Sequence, residues 1–151
     1  MQLIRHSLDS PQNAAERVPI PVDRLTLAKR RWRGVADDGR EFGFDLEQPL
    51  HDGEVVWRSA DLCYVIAQKA EPLVVIRLGD SPGEAARRGW LFGNLHFPIA
   101  LEGEQVLVPD DPAVRQLLAR EGIAFEIEAR TFRPCGIAHA HDSGPHHPPH
   151  H

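Results

Sequence analysis

The chain has 151 residues, 42% of them hydrophobic, enough for one ordinary domain or two small ones around a packed core, which excludes a wholly disordered chain. With 17 basic residues against 22 acidic ones and a formal net charge of −5, it lacks the broad positive surface that holds nucleic acid through phosphate. No apolar run reaches the roughly 18 residues of a membrane span or forms a signal-peptide core, and Cys63 and Cys135 are too far apart for a CxxC zinc motif, so a soluble cytoplasmic protein with reduced thiols is expected.

Residues 1–21 are polar and punctuated by proline, and are expected to form a loose lead-in as far as Val22. From Arg24 to Gln68 the pattern is strand-like. "RLTLA" alternates, Asp38-Gly39 separates "RRWRGVA" from "REFGFDL", and Asp52-Gly53 precedes "EVVW". Phe42, Phe44 and Leu46 fall at period two, which places them on one strand face with Glu41, Gly43 and Asp45 opposite. Cys63 in "LCYVIA" lies in an apolar run and is expected to be buried. Residues 1–70 therefore read as a small all-β domain.

The period changes after residue 70. "EPLVVIRL" is a nearly continuous apolar run, as expected for a strand buried on both faces. In "SPGEAARRGWLFGNLHFP", Ser81 can cap a helix, Pro82 suits its first position and Glu84 completes an S-x-x-E capping box. Ala85, Leu91, Phe92 and Leu95 give this helix a core face. "FPIAL" and "EQVLV" read as strands joined at Glu102-Gly103. Asp111-Pro112 opens a second helix that ends at Gly122, and the alternation of Ile123, Phe125 and Ile127 predicts a last strand. The expected class is α+β: an N-terminal all-β domain over 1–70, a ferredoxin-like βαββαβ domain over 71–132, and a flexible His-rich tail over 133–151.

Six of the nine histidines stand in that tail: His139, His141, His146, His147, His150 and His151. Neutral imidazole is a good ligand for nickel, copper and zinc, and closely spaced copies raise the local ligand concentration without a folded site. Asp142, Ser143, Gly144 and three prolines interrupt the run, unlike an unbroken purification tag. In the folded part, "GNLHFPI" places His96 just beyond the first predicted helix, either as a helix-terminal residue or as a ligand. One histidine makes no tight site alone, but a two-fold axis would set it beside its own copy. Cys135 forms a C-x3-H-x-H spacing with His139 and His141 and is open to two readings, thiolate ligand or unremarkable small residue. Asp110 and Asp111 are candidates for oxygen ligation, with helix capping the favoured role of Asp111. His6 and His51 are expected to be solvated. No phosphate loop, H-E-x-x-H helix or G-x-S-x-G elbow is present, so no enzyme is expected. The strands "FPIAL" and "EQVLV" hold one aromatic and no basic residue, which argues against an RNA platform.

The order of a β domain, a ferredoxin-like domain carrying "FGNLHFPI" and a His-rich end resembles the UreE family of urease accessory proteins, which are nickel chaperones. In that family the segment usually reads G-N-R-H-x-P; Gly93, Asn94, His96 and Pro98 match, and Leu95 stands where arginine is usual. "GIAHAH" resembles the G-H-x-H at the start of many family tails. The resemblance implies a homodimer that binds Ni2+ between two copies of His96, helped by His139 or His141, with the urease apoprotein complex and its accessory GTPase as partners. It also implies an N-terminal domain that contacts protein. Zn2+ or Cu2+ would bind the same imidazoles. The alternative is a nickel, zinc or copper storage or detoxification protein that binds mainly through its tail.

Overall fold

The computed structural model describes residues 1–9 and 15–135. The mixed α+β class expected from the sequence is the one observed. The chain divides into two compact units: Met1–Pro72 with Glu128–Phe132, and Leu73–Ile127 with the segment from Arg133.

The first unit holds two three-stranded sheets. One comprises β1 (Gln2–Ile4), β3 (Arg31–Val35) and β4 (Glu41–Asp45) in the order β1-β4-β3; the other comprises β2 (Glu16–Val22), β5 (Val55–Ser59) and β6 (Leu62–Gln68) in the order β2-β6-β5. The predicted Asp-Gly turns are present, with φ of +88° at Gly39 between β3 and β4 and +87° at Gly53 before β5, angles that a Cβ disfavours. Phe42, Phe44 and Leu46 are buried at period two as expected, and join Ile20, Trp32, Tyr64 and Ile66 in one core. Trp32 stacks on Phe44 with ring centroids 3.8 Å apart. Cys63 is fully buried.

Two expectations for this unit are corrected. Among the described residues of 1–21 the expected loose lead-in is not found, because β1 pairs in parallel with β4, and β2 pairs in parallel with β6 along its whole length. In "VPIPV", Val18, Ile20 and Val22 point into the core, while Pro19 and Pro21 occupy the alternate positions of an edge strand. Only an edge tolerates residues that lack a ladder N–H. "RLTLA" is not a strand either: Arg24–Leu27 forms the short helix α1. Asp23 caps it, accepting from the Thr26 amide at 2.9 Å and from the Thr26 hydroxyl at 2.7 Å, and this local bonding outweighs the alternating pattern.

The Tyr64 hydroxyl donates to Asp38 Oδ2 at 2.6 Å and holds that carboxyl below its ordinary value of 3.8. A depressed folded-state pKa contributes stability above pH 3.8 that is lost as pH falls through the folded value. Tyr64→Phe is therefore expected to shift the Asp38 titration upward, as followed by carboxyl NMR shifts, and to bring acid unfolding to a higher pH.

The second unit is built on the sheet order β10-β7-β9-β8, from β7 (Glu71–Arg77), β8 (Ala100–Glu102), β9 (Gln105–Pro109) and β10 (Glu126–Arg130). Leu73 to Ile76 of β7 are all buried, as the unbroken apolar run predicts. Helix α2 (Pro82–Asn94) starts where Ser81 Oγ accepts from the Glu84 amide at 3.2 Å; the Glu84 carboxylate reaches back one residue further than a capping box requires, to the Asp80 amide at 3.0 Å. Helix α3 (Pro112–Glu121) begins with the Asp111 carboxylate accepting from Ala113 N at 2.8 Å and ends at Gly122 in the left-handed region. Leu91 and Phe92 of α2 pack with Val114, Leu117 and Leu118 of α3 over Val74, Ile76, Val106 and Val108. The predicted alternation into the last strand stops early. Ile123 and Phe125 pack inward from the loop after Gly122, and Ile127 within β10 is 41% exposed.

Candidate metal centre

His96 sits one residue beyond the C-cap of α2, with φ of +57°; among the described residues only Ala60 shares a positive φ without being glycine. Helices commonly end with a left-handed residue at this position, and glycine is the usual occupant because a Cβ there costs about 1 kcal/mol. The Leu95 amide donates to the Phe92 carbonyl and the His96 amide to the Gly93 carbonyl, both at 3.1 Å, which closes the helix end. Beyond it the chain alternates. Leu95, Phe97 and Ile99 pack against the core cluster that includes Phe92, while His96 and Pro98 are exposed. The imidazole is thus carried outward by a backbone fixed on both sides by apolar anchors.

The neighbouring surface of α2 is apolar and partly bare. Trp90 is 65% exposed, not part of the core, and the Cβ positions of Gly89 and Gly93 would meet nothing within 4 Å. Among the described residues, no three or more histidines, cysteines or carboxylates gather as a group able to hold a metal ion. The tail residues His139, His141, His146, His147, His150 and His151 lie outside the described residues.

Other candidates resolve into structural roles. Asp110 is clasped by Arg115 through two bonds of 2.7 and 3.0 Å, which hold its carboxyl below the usual range, and Asp111 caps α3. Neither carboxylate stands free for an ion, in keeping with the capping role favoured for Asp111. His6 and His51 are exposed as expected, but sequence spacing gave no sign that they line the same open cavity of about 830 Å³ with Arg5, Glu47 and Glu54. The Cys135 side chain is exposed, and its backbone amide donates to the Ile99 carbonyl at 2.7 Å. This contact, between residues 36 positions apart, likewise has no local signal in the sequence.

Comparison with known proteins decides what kind of chain presents this histidine. Residues 71–151 match the family described as UreE urease accessory protein, C-terminal domain. The chain belongs to the UreE family. The urease accessory protein UreE of Lysinibacillus sphaericus is 30% identical over 116 residues, covering 76% of this chain and 78% of that protein. UreE of Paracoccus denitrificans is 31% identical over 124 residues, covering 81% and 77%, and UreE of Pseudomonas putida is 31% identical over 150 residues, covering 97% and 88%. UreE proteins are accessory proteins and not enzymes, and the chain shares that character. No helix among the described residues is long and apolar enough to cross a membrane.

Proposed function

We propose that this UreE chain is a cytoplasmic nickel metallochaperone that captures Ni2+ between the His96 imidazoles of two copies and delivers it for assembly of the urease active site. The observation that carries this reading is the exposed His96 in a backbone conformation that favours glycine. Strain of that kind persists where the surroundings over-determine it, and it is concentrated at working sites. Gly89, Gly93 and Trp90 beside it form a surface that a second α2 could approach closely, and a two-fold axis there would double a single ligand into a pair.

His139 or His141 is assigned to complete the coordination sphere, with His146, His147, His150 and His151 as further imidazoles of the C-terminal segment. Ligands on that segment leave one at a time, so the ion passes to the urease apoprotein complex and its GTPase without full release into water. Residues 71–132 are read as a ferredoxin-like metal-binding domain, supported by the alternation of strands and helices and the order β10-β7-β9-β8. The β domain before it is read as the part that contacts protein partners. Zn2+ and Cu2+ are expected to compete for the same imidazoles.

The test is calorimetric titration of Ni2+ into the chain truncated after Cys135, with and without His96→Ala, alongside mass measurement in solution. Expected are a dimer binding about one ion per pair of chains and no high-affinity binding in the His96→Ala variant. If truncation alone removes all binding, His96 is a helix-terminal residue and the chain is a tail-borne metal store.

A further inference from the structure

The two long helices of the second unit end differently. Aligned peptide dipoles leave about half a negative charge at a helix C-terminus, and a basic side chain in the last turn is the common way to offset it. Helix α3 follows this pattern, with Arg120 in its last turn. Helix α2 does not: its last turn holds no basic residue. The two arginines of α2 stand about 9 Å or more up the axis from Asn94. They are engaged there, Arg87 with Glu121 at 2.7 Å and Arg88 with the Arg77 carbonyl at 2.5 Å. The end of α2 is closed by backbone bonds alone, from Leu95 to Phe92 and from His96 to Gly93. His96 follows directly. Its Cα is about 3.8 Å from that of the C-cap Leu95, less than the pitch of one turn, over which the field of a helix end acts.

We propose that the C-terminal pole of α2 is an electrostatic positioning group for metal capture: with no basic side chain in its last turn, it draws a divalent cation to the exposed His96. This rests on the reading that His96 is a metal ligand. The imidazole makes the bond and the helix end supplies the field. A single charge beside a helix end changes an equilibrium by a factor of about two to five, so a divalent ion gains about three- to thirtyfold in affinity. In a pair of chains, each His96 brings its own pole.

The experiment measures Ni2+ affinity of the full chain by competition with a chromophoric chelator, at low salt and at about 1 M salt. Asn94→Lys places an ammonium in the last turn and is compared with the neutral Asn94→Gln. Pro98→Lys places the same charge two residues to the other side of His96, away from the helix end, and is compared with Pro98→Gln. At low salt the lysine at 94 is expected to bind Ni2+ about three- to thirtyfold more weakly than the glutamine. The lysine at 98 is expected to lose less against its own glutamine, and both differences are expected to shrink at about 1 M salt, where charges are screened beyond about 3 Å. Equal affinities for Asn94→Lys and Asn94→Gln would overturn the role of the pole. Equal losses at 94 and 98 would do the same, since repulsion by any nearby charge would then account for both, as would a loss at 94 that is unchanged by salt. A His96→Ala chain that binds Ni2+ like the parent would overturn the ligand reading and the role of the pole together.

Discussion

His96→Gly is expected to stabilise the protein while abolishing high-affinity Ni2+ capture. At φ of +57° the histidine Cβ crowds its own backbone, and glycine removes that cost of about 1 kcal/mol. For a chain of this size the gain corresponds to a melting temperature about 2 to 4 °C higher. His96→Ala loses the same imidazole but keeps a Cβ, so it should lose the metal without the thermal gain. The pair separates ligand from conformation. Thermal melts and Ni2+ calorimetry on both variants give the comparison, and a glycine variant that melts no higher than the alanine variant would show that the left-handed position is not strained.

Phe92→Ala is expected to be the most destabilising of these changes, by about 3 to 5 kcal/mol. Its ring is fully buried between α2, α3 and the sheet, and truncation leaves a cavity lined by Leu91, Val114, Leu117 and Leu118 that close-packed neighbours refill only in part. Phe92 belongs to the core cluster against which Leu95 and Phe97, on either side of His96, are packed, and its backbone carbonyl accepts the Leu95 amide. Urea denaturation of the parent and variant measures the loss, with the exposed Trp90 two residues earlier as a fluorescent reporter of the helix end. A loss below about 1 kcal/mol would mean that the helix end draws its rigidity from elsewhere.

Local chemistry made much of the fold legible. The turns at Gly39 and Gly53, the Ser81 and Asp111 caps and the stop at Gly122 each follow from interactions within a few residues, and the sequence carries them directly. What escaped depends on partners far along the chain. The parallel pairing of β2 with β6 joins segments about 46 residues apart, and Pro19 and Pro21 disguised the strand because an edge position is invisible until the sheet is assembled. Ile127 misled for the opposite reason: its alternation with Phe125 is real in sequence, but the strand begins only at Glu126.

At the candidate site, the G-N-L-H-x-P pattern singled out His96, whereas its left-handed backbone had no herald, since residue type there points to glycine. The bond from Cys135 to Ile99 was equally hidden, because a backbone amide carries no residue signature.

The two prolines of β2 have one more consequence. In a parallel ladder alternate residues turn their backbone groups to opposite sides, and positions 19 and 21, unable to donate, face away from β6; the Pro19 carbonyl accepts the Asp37 amide at 3.0 Å instead. The outer rim of this sheet thus has no backbone N–H to donate at two successive outward positions, and the Pro19 oxygen is already engaged. A free strand approaching it would find no ladder to continue, which protects the rim against fibrillar growth.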